Sequence, residues 1–259
     1  MSFLQIDHCT ITFGGLIAVS ALDLSFERGE LVGLIGPNGA GKTTVFNMIT
    51  GMYRPVEGEI RLDGKPLNGM KPYQINRLGV ARTFQSPRLF GNLTVFDNIR
   101  VAMHRRLSRG LVHALLRTLH FTREERQIER ETMDLLEIFG LTHLALERAS
   151  NLPYGEQRRL EILRALATGS KLLLLDEPVA GMNTMEKERL RQVILRIRER
   201  FSLTILLIEH DMRVVMGLCE RIAVLDYGVK IAEGTPEEIA NDPRVIEAYL
   251  GEPVTGVEG

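Results

Sequence analysis

The sequence predicts an α/β protein with a parallel sheet, an N-terminal antiparallel β subdomain and an inserted helical subdomain. In the second half of the chain, three short apolar runs, KLLLLDE, TILLIEHD and RIAVLDYG, alternate with charged segments of helical spacing. Strands that alternate with helices form parallel sheets covered on both faces, and such strands are apolar throughout. The run LVGLIG supplies a further buried strand nearer the start.

The composition is that of a globular protein. The 259 residues are 44% hydrophobic and 25% charged, and the net charge of −1 provides no overall field for nucleic acid or acidic lipid. Cys9 and Cys219 match no metal-binding spacing, so we expect two reduced thiols that pack as small apolar residues. The N-terminus lacks the apolar core of a signal peptide, and no window reaches the ~18 apolar residues of a membrane span. We therefore expect a cytoplasmic protein that reaches a membrane only through a partner.

Two parts of the N-terminal sequence predict the β subdomain. Residues 1–35 alternate apolar and polar positions, and the later stretch RPVEGEIRLDGKPL places two turn signals around the short strand EIRL. From about residue 87 the spacing becomes helical and stays so to about 150. We expect one domain over 1–259, in which 1–86 and 151–259 form the core and 87–150 form the helical insert.

The insert and the tail have recognisable helix starts. Thr122 and Glu125 form a capping-box pattern for a helix that ends at Gly140. Two alternatives stay open for HRRLSRGLVHALLRTLHFTR, residues 104–123: contact with membrane-subunit loops or lipid headgroups, or an amphipathic helix packed on the insert's own core. The tail is expected to hold two helices that begin with proline, capped by Thr235 and Asp242.

The stretch GPNGAGKTT follows the LVGLI strand and precedes a helical segment, the context in which G-x-x-x-x-G-K-[ST] indicates a phosphate-binding loop. Gly36, Gly39 and Gly41 allow backbone N–H groups to turn inward around phosphates, where a Cβ would obstruct. Lys42 offers a charge to the β- and γ-phosphates, and Thr43 offers a hydroxyl to Mg²⁺. The predicted ATP-binding residues of the loop are Gly36, Pro37, Asn38, Gly39, Ala40, Gly41, Lys42, Thr43 and Thr44.

Four further polar residues follow predicted strands, at the edge where α/β sheets bind ligands. Asp176 and Glu177 end the run KLLLLDE. We predict that Asp176 holds Mg²⁺ and that Glu177 accepts a proton from the attacking water. Gln85, in RTFQSPRLF, has an amide that can bind both metal and water, and His210, in LLIEHD, is expected to face the γ-phosphate. The predicted catalytic residues are Glu177, His210 and Gln85, and the predicted metal ligands are Thr43, Gln85 and Asp176.

The order of these motifs resembles the ATP-binding cassette (ABC) family across essentially the whole chain. The stretches FGGLIAV, TFQSPRLFGNLTVFDNI, YGEQRRLEI and EAYLGE are similar to the ATPase subunits of branched-chain amino acid importers. The resemblance implies a P-loop NTPase (RecA-like) core that hydrolyses ATP with Mg²⁺. It also implies a second cassette, two membrane-spanning permease subunits, an indirect solute-binding protein outside the membrane, no nucleic acid, and a peripheral position on the cytoplasmic face of the membrane.

In this family each ATP lies between one chain's phosphate loop and the other chain's signature, usually L-S-G-G-Q, at a helix N-terminus. The chain departs from that pattern. Proline removes a hydroxyl and a backbone N–H, tyrosine replaces glycine, and glutamate replaces the usual amide. We expect a weakened site in the partner, served by the dipole end of the helix that follows. The signature residues are Leu152, Pro153, Tyr154, Gly155 and Glu156.

Two more roles are implied by the resemblance alone. Phe13 would stack on adenine, where the family often has tyrosine, although an ordinary core phenylalanine is the alternative. Asn183, in AGMN, stands in the loop that contacts the opposite chain, where the family often has aspartate. Without the charge, a contact based on ion pairing is weakened.

Three other functions keep the phosphate loop but change the role of the protein. The same fold can drive a lipid or lipopolysaccharide exporter. A soluble cassette of DNA repair or translation would usually carry two cassettes, coiled-coil arms or basic surfaces, and none is visible in the sequence. A P-loop kinase would need neither the signature nor the histidine.

Overall fold

The computed structural model describes residues 2–104 and 119–250, and the chain has the P-loop α/β fold with an antiparallel N-terminal sheet. In chain order the strands are β1 (Leu4–Phe13), β2 (Leu16–Phe26), β3 (Leu31–Ile35), β4 (Glu57–Leu62), β5 (Lys65–Pro66), β6 (Val80–Arg82), β7 (Leu172–Asp176), β8 (Thr204–Ile208), β9 (Arg221–Asp226) and β10 (Val229–Gly234). One sheet is antiparallel, in the order β2-β1-β4-β5. The other has the order β10-β9-β3-β8-β7-β6, and β10 alone of its described strands runs antiparallel to its neighbour.

The helices connect the parallel strands and form the insert and the tail. They are α1 (Lys42–Ile49), α2 (Pro72–Arg77), α3 (Val95–His104), α4 (Leu119–Ile138), α5 (Tyr154–Ala167), α6 (Thr184–Phe201), α7 (Met212–Leu218), α8 (Pro236–Ala240) and α9 (Pro243–Leu250). The side chain of Thr235 accepts a hydrogen bond from Glu238 N, and that of Asp242 accepts one from Arg244 N. Both tail helices therefore begin where the sequence predicted. No helix within the described ranges has both the length and the apolar character needed to cross a bilayer.

The parallel sheet separates two hydrophobic cores. Strand β7 is buried along its whole length, as its unbroken leucine run predicted, and successive side chains point to opposite faces. Leu172 and Leu174 pack towards the antiparallel sheet and α1, whereas Leu173 and Leu175 pack among the helices on the other face. Because both faces are covered, the site must lie at an end of the strands.

The insert packs on the second core. In α3, Val95, Ile99 and Met103 recur every four residues and are buried, as an amphipathic helix requires. The backbone bridge between Thr94 and Arg148 brings the two ends of the helical segment together. The proposed division at 87 and 150 stays a prediction, and residues 105–118 of the basic segment lie outside the described part of the chain.

The predicted start of the insert's long helix at Thr122 is wrong. Helix α4 already includes Leu119, so Thr122 lies inside it, while its end at Ile138, before Gly140 with φ +66°, agrees with the prediction. Residues 119–121, which precede Thr122 in the helix, contain neither glycine nor proline, so nothing in them stops the helix from starting before Thr122. A capping-box pattern permits a helix start but does not compel one.

Candidate functional site

The loop between β3 and α1 is shaped by glycines that no other residue could replace without strain. Gly36 has φ +146°, and a Cβ there would lie 2.0 Å from the carbonyl oxygen of Leu225. Gly41, the N-cap of α1, has φ +101°, and a Cβ there would lie 2.6 Å from the carbonyl oxygen of Ala18. The loop therefore packs closely against β9 and β2 and leads into the N-terminus of α1, an arrangement that suits a phosphate group.

Lys42 is the first residue of α1 and folds back over the loop. Its Nζ donates to the carbonyl oxygens of Gly36 and Pro37, at 2.7 and 2.8 Å. Burial lowers the pKa of Lys42, and the carboxylates of Glu177 and Asp176 oppose that shift. The ammonium group is thus held at the mouth of the loop between backbone oxygens and two carboxylates.

Asp176, the last residue of β7, is 2% exposed, and only one of its two carboxylate oxygens accepts a hydrogen bond from the described residues. Its Oδ2 accepts a hydrogen bond from Arg82 Nη2 at 2.7 Å, whereas its buried Oδ1 has no hydrogen-bond partner among the described residues. A buried carboxylate oxygen without a partner is costly, and a hard cation such as Mg²⁺ would satisfy it. The donor set of Asp176, the Thr43 hydroxyl and the Gln85 amide therefore fits Mg²⁺.

Glu177 follows Asp176 in a conformation that non-glycine residues rarely adopt, with φ +47°. Its backbone N–H donates to Ile208 O at 2.9 Å, which ties it to the end of β8. Next to it, His210 Nδ1 lies 3.7 Å from Glu177 Oε2, too far for a direct hydrogen bond, and the His210 side chain is 63% exposed. The two side chains can meet the same solvent molecule or phosphate oxygen.

Glu209 lies directly behind His210 and is fully buried. Its carboxylate accepts hydrogen bonds from Val179 N and His210 N, at 3.0 and 3.2 Å. Burial raises the pKa of Glu209, while these amides act in the opposite direction. Glu209 therefore fastens the segment after Glu177 to the segment that carries His210.

Several of these groups line one cavity of about 550 Å³ at the carboxyl edge of the parallel sheet. The lining joins the loop 38–44, Gln85 and Glu177 with a rim of four apolar or aromatic residues, Leu16, Ile17, Ala18 and Tyr227. A larger cavity, about 750 Å³, lies at the opposite edge, where Gly29, Lys171 and Thr204 adjoin the strand starts. We assign the site to the first cavity, because ligands of open α/β sheets bind at the carboxyl ends of the strands.

The predicted signature lies at the start of α5 and outside this lining. Pro153 is the N-cap of α5 and provides no side-chain cap. Tyr154 is exposed, Leu152 is buried, and Glu156 forms an ion pair with Arg159 within the first turn. Among the described residues that line the cavity, none belongs to 152–156. In a single chain, the helix end and the phosphate loop are therefore separate surfaces.

Asn183 and Phe13 have local contacts that the resemblance did not indicate. The side chain of Asn183 accepts hydrogen bonds from Met185 N and Glu186 N and caps α6, a role that the pattern Asn183-x-x-Glu186 could have predicted. Phe13 is 43% exposed, so the alternative of a core phenylalanine is wrong, and its ring packs edge-on against Tyr53 with 5.0 Å between centroids. The adenine contact stays a prediction.

Sequence reasoning missed two residues that lie at the loop and come from distant parts of the chain. Tyr249, on α9, accepts a hydrogen bond from Gly36 N at 2.8 Å through its hydroxyl, and burial raises its pKa. Tyr227, 88% exposed, lies on the turn whose next residue, Gly228, donates to Ala40 O at 3.0 Å. No local pattern points to either contact, although EAYLGE was a feature of the resemblance.

A third missed feature is the pair Arg158 and Glu161, buried on α5 directly behind Gln85 and Glu177. A charged pair at i, i+3 on a helix face that is otherwise apolar is the signal that could have identified it.

Comparison with family models gives two matches. Residues 19–180 match the ABC transporter model, and residues 229–255 match that of the branched-chain amino acid ATP-binding cassette transporter. The first match covers more than half of the chain and includes the loop, the signature and the end of β7.

Individual relatives align over nearly the full length. The high-affinity branched-chain amino acid transport ATP-binding protein LivG of Salmonella typhimurium is 49% identical over 96% of this chain and 98% of its own. The lipopolysaccharide export system ATP-binding protein LptB of Haemophilus influenzae is 33% identical over 97% and 98%. A solved ATP-binding cassette of an ABC transporter, in its ADP conformation, is 30% identical, with a TM-score of 0.83, over 97% of this chain and 100% of that one.

Proposed function

Because this chain belongs to the ABC transporter family of ATP-binding cassettes, we propose that it hydrolyses ATP to power an importer of branched-chain amino acids. The convergence of the phosphate loop, Asp176, Glu177, Gln85 and His210 at one edge of the sheet carries the proposal. The solute class is supported by the 49% identity to the Salmonella protein and by the C-terminal family match.

Each residue of the site has a chemical task in this proposal. Lys42 and the loop amides hold the phosphates in a fixed position, so that the γ-phosphorus stays exposed to attack from one side. Glu177 takes the proton of the attacking water, and its strained backbone holds the carboxylate towards the cavity. His210 supports the γ-phosphate next to that carboxylate.

The proposed reaction also uses Mg²⁺. Asp176, Thr43 and Gln85 would hold it, and when bound it supplies positive charge that stabilises the phosphate oxygens during transfer. Arg82 donates to Oδ2 of Asp176, which would leave Oδ1 for the cation. Burial of Asp176 keeps bulk water from competing for that oxygen.

Two cassettes would close around ATP. The start of α5, with Gly155 and the exposed Tyr154, presents a helix N-terminus to the partner's phosphate, and this chain's loop receives the partner's signature. Residues 152–156 do not line the chain's own cavity, which supports a site completed by a second cassette. Two permease subunits and, indirectly, a solute-binding protein would then form the importer, with this chain on the cytoplasmic face of the membrane.

The permease would dock on the insert beside Gln85. A groove of about 330 Å³ lies there between the loop after β6, α3 and α5, and it includes Phe90, Val101 and Arg164. Phe90 is exposed, with the Arg164 guanidinium 5.2 Å from its ring centroid, whereas Leu89 packs partly against the core. A permease helix that binds in this groove would move Gln85. The conformation of the permease would thereby be coupled to the position of Gln85 at the γ-phosphate.

The same fold and site would serve a lipopolysaccharide exporter, and the 33% identity to the Haemophilus protein keeps that function as the alternative. The lower identity favours the importer. Uptake of radiolabelled leucine by proteoliposomes that hold the assembled transporter separates the two, because an exporter would give no ATP-dependent amino acid uptake.

The ATPase is tested with Glu177→Gln and Lys42→Ala. Glu177→Gln should bind ATP normally and lose ~10²-fold or more in turnover, the scale of general base catalysis. Lys42→Ala should weaken ATP binding roughly tenfold or more in calorimetry, because it removes a cation from a phosphate contact. The matched control is Glu188→Gln on the exposed face of α6. Full turnover in Glu177→Gln, or unchanged affinity in Lys42→Ala, would contradict the site.

Docking is tested with Phe90→Ala. The variant should retain ATP hydrolysis in the isolated chain but lose most ATP-driven uptake in the assembled transporter, because the groove loses its exposed aromatic anchor. Phe201→Ala is the control, since Phe201 is also a partly exposed ring beside an arginine but lies at the amino-terminal edge of the sheet. Equal uptake by both variants would place the permease elsewhere.

A further inference from the structure

Arg158 is a charged side chain in a place where charge is costly. It lies on α5, the helix that begins at the signature, and it is 0% exposed. A buried guanidinium is tolerated only where it is paired and hydrogen-bonded. Its ionic partner is Glu161, one turn further along α5, with 2.8 Å between Nη1 and Oε2.

The donors of Arg158 converge on the backbone of the proposed catalytic residues. Nη2 donates to the carbonyl oxygen of Gln85 at 2.6 Å and to that of Glu177 at 3.2 Å, and Nη1 donates to the carbonyl oxygen of Phe84. Glu161 completes the set, because its Oε1 accepts the N–H groups of Phe84 and Arg88, both at 3.2 Å. One ion pair thus fixes both sides of the Gln85 loop and the peptide that follows Glu177.

We propose that Arg158 and Glu161 form a positioning pair, which holds Gln85 and Glu177 in their reactive arrangement and ties both to the signature helix. The inference rests on the proposed ATPase function. Neither side chain lines the nucleotide cavity, so the pair acts through the residues it holds.

Both catalytic residues need such support. Gln85 is exposed on a segment without regular structure between β6 and α3, so helix or strand hydrogen bonds do not define its position. Glu177 holds φ +47°, which persists in a non-glycine residue only when the surroundings impose it. Arg158 belongs to α5, whose first residues serve the partner's ATP. A shift of that helix on dimer closure would therefore change the positions of Gln85 and Glu177 in the same chain.

The test is Arg158→Lys, which keeps the charge but lacks the planar fork that reaches three carbonyl oxygens. We expect kcat for ATP to fall by about tenfold while KM changes by less than about threefold, because the phosphate loop is not contacted by Arg158. Arg198→Lys is the matched control: Arg198 also donates to a carbonyl oxygen, that of Gly29, and to a carboxylate, that of Glu220, away from the site.

A second variant and a double mutant separate positioning from general stability. Glu161→Gln should lower kcat in the same way with unchanged ATP affinity by calorimetry, and it decides the matter if Arg158→Lys fails to fold. In a Gln85→Ala background, Arg158→Lys should cost less than it does alone, because both changes act through Gln85. Additive losses would mean that Arg158 does not act through Gln85.

The inference is overturned if kcat of the folded variants stays within twofold of the wild type, as expected for Arg198→Lys, or if only KM changes. If the wild-type chain hydrolyses ATP and Glu177→Gln removes turnover, such a result rejects the positioning pair and leaves the proposed function standing. If the wild-type chain does not hydrolyse ATP, the proposed function fails first and the inference falls with it.

Discussion

Replacing Pro153 would measure how much the altered signature lowers the rate of ATP hydrolysis. Pro153 is the N-cap of α5, with φ −54° and ψ 152°, and its carbonyl oxygen accepts the N–H groups of Glu156 and Gln157, both at 3.0 Å. Serine adopts these angles readily and is a preferred N-cap residue. Pro153→Ser restores a hydroxyl and a backbone N–H, whereas Pro153→Ala restores the N–H alone. The pair of variants therefore separates the two missing donors.

The effect on stability should be small. A serine N-cap stabilises a helix by about 1 kcal/mol relative to a residue without a cap. Removal of proline raises the conformational entropy of the unfolded chain and thereby lowers the free energy of unfolding by about 0.4–1 kcal/mol. These terms nearly cancel, so Tm of Pro153→Ser should stay within about 2 °C of the wild type. Pro153→Ala lacks the cap, so it should be about 1 kcal/mol less stable than Pro153→Ser.

The effect on hydrolysis should be large by comparison. A hydrogen bond to a charged group contributes about 1.5–3 kcal/mol, and 1.4 kcal/mol corresponds to a factor of ten. We therefore expect kcat/KM for ATP to rise about tenfold or more in a Pro153→Ser homodimer, and less in Pro153→Ala. In an assembled transporter with a second, different cassette, only the site facing Pro153 changes, so the gain should be modest.

Steady-state ATPase assays at limiting ATP, on the isolated chain and on the assembled transporter, provide the measurement. If both variants hydrolyse ATP at the wild-type rate, Gly155 and the helix end suffice and the reasoning about missing donors is refuted. A gain that is equally large in both assemblies would mean that both ATP sites of the transporter face Pro153, as they do in a homodimer.

Three further outcomes are expected. Asp176→Asn should lose hydrolysis and about 3 kcal/mol of unfolding free energy in urea, because it leaves a buried arginine without its ionic partner; unchanged stability would contradict the buried pair. Tyr249→Phe should destabilise the chain by about 1 kcal/mol, since Gly36 N loses its acceptor, and an unaltered thermal unfolding curve would contradict that contact. Burial raises the pKa of Cys9 to about 11 and that of Cys219 to about 12, so neither thiol should react with a thiol reagent at pH 8 until the chain is unfolded; rapid labelling of the native protein would be inconsistent with their burial.

The parts of the site that depend on local pattern were predictable from the sequence. The glycine spacing of residues 36–44 defines a loop that only glycine can form, and the leucine run before Asp176 defines a strand buried on both faces. Because the carboxyl ends of parallel strands meet at one edge, the order of the motifs was sufficient to bring Gln85, Asp176, Glu177 and His210 together as candidates. Periodicity and chain geometry carry this information within a few residues.

The contacts that hold those candidates in place depend on the tertiary structure. Arg158 reaches a loop more than seventy positions earlier, and Tyr249 reaches Gly36 across 213 positions; no spacing rule connects such residues. Thr122 illustrates the same limit, because its capping pattern is valid locally but the helix continues through it. Local sequence defines which conformations each segment can adopt. Residues that become neighbours only in the folded chain decide whether a charge is buried, which hydrogen bonds form and where a helix begins.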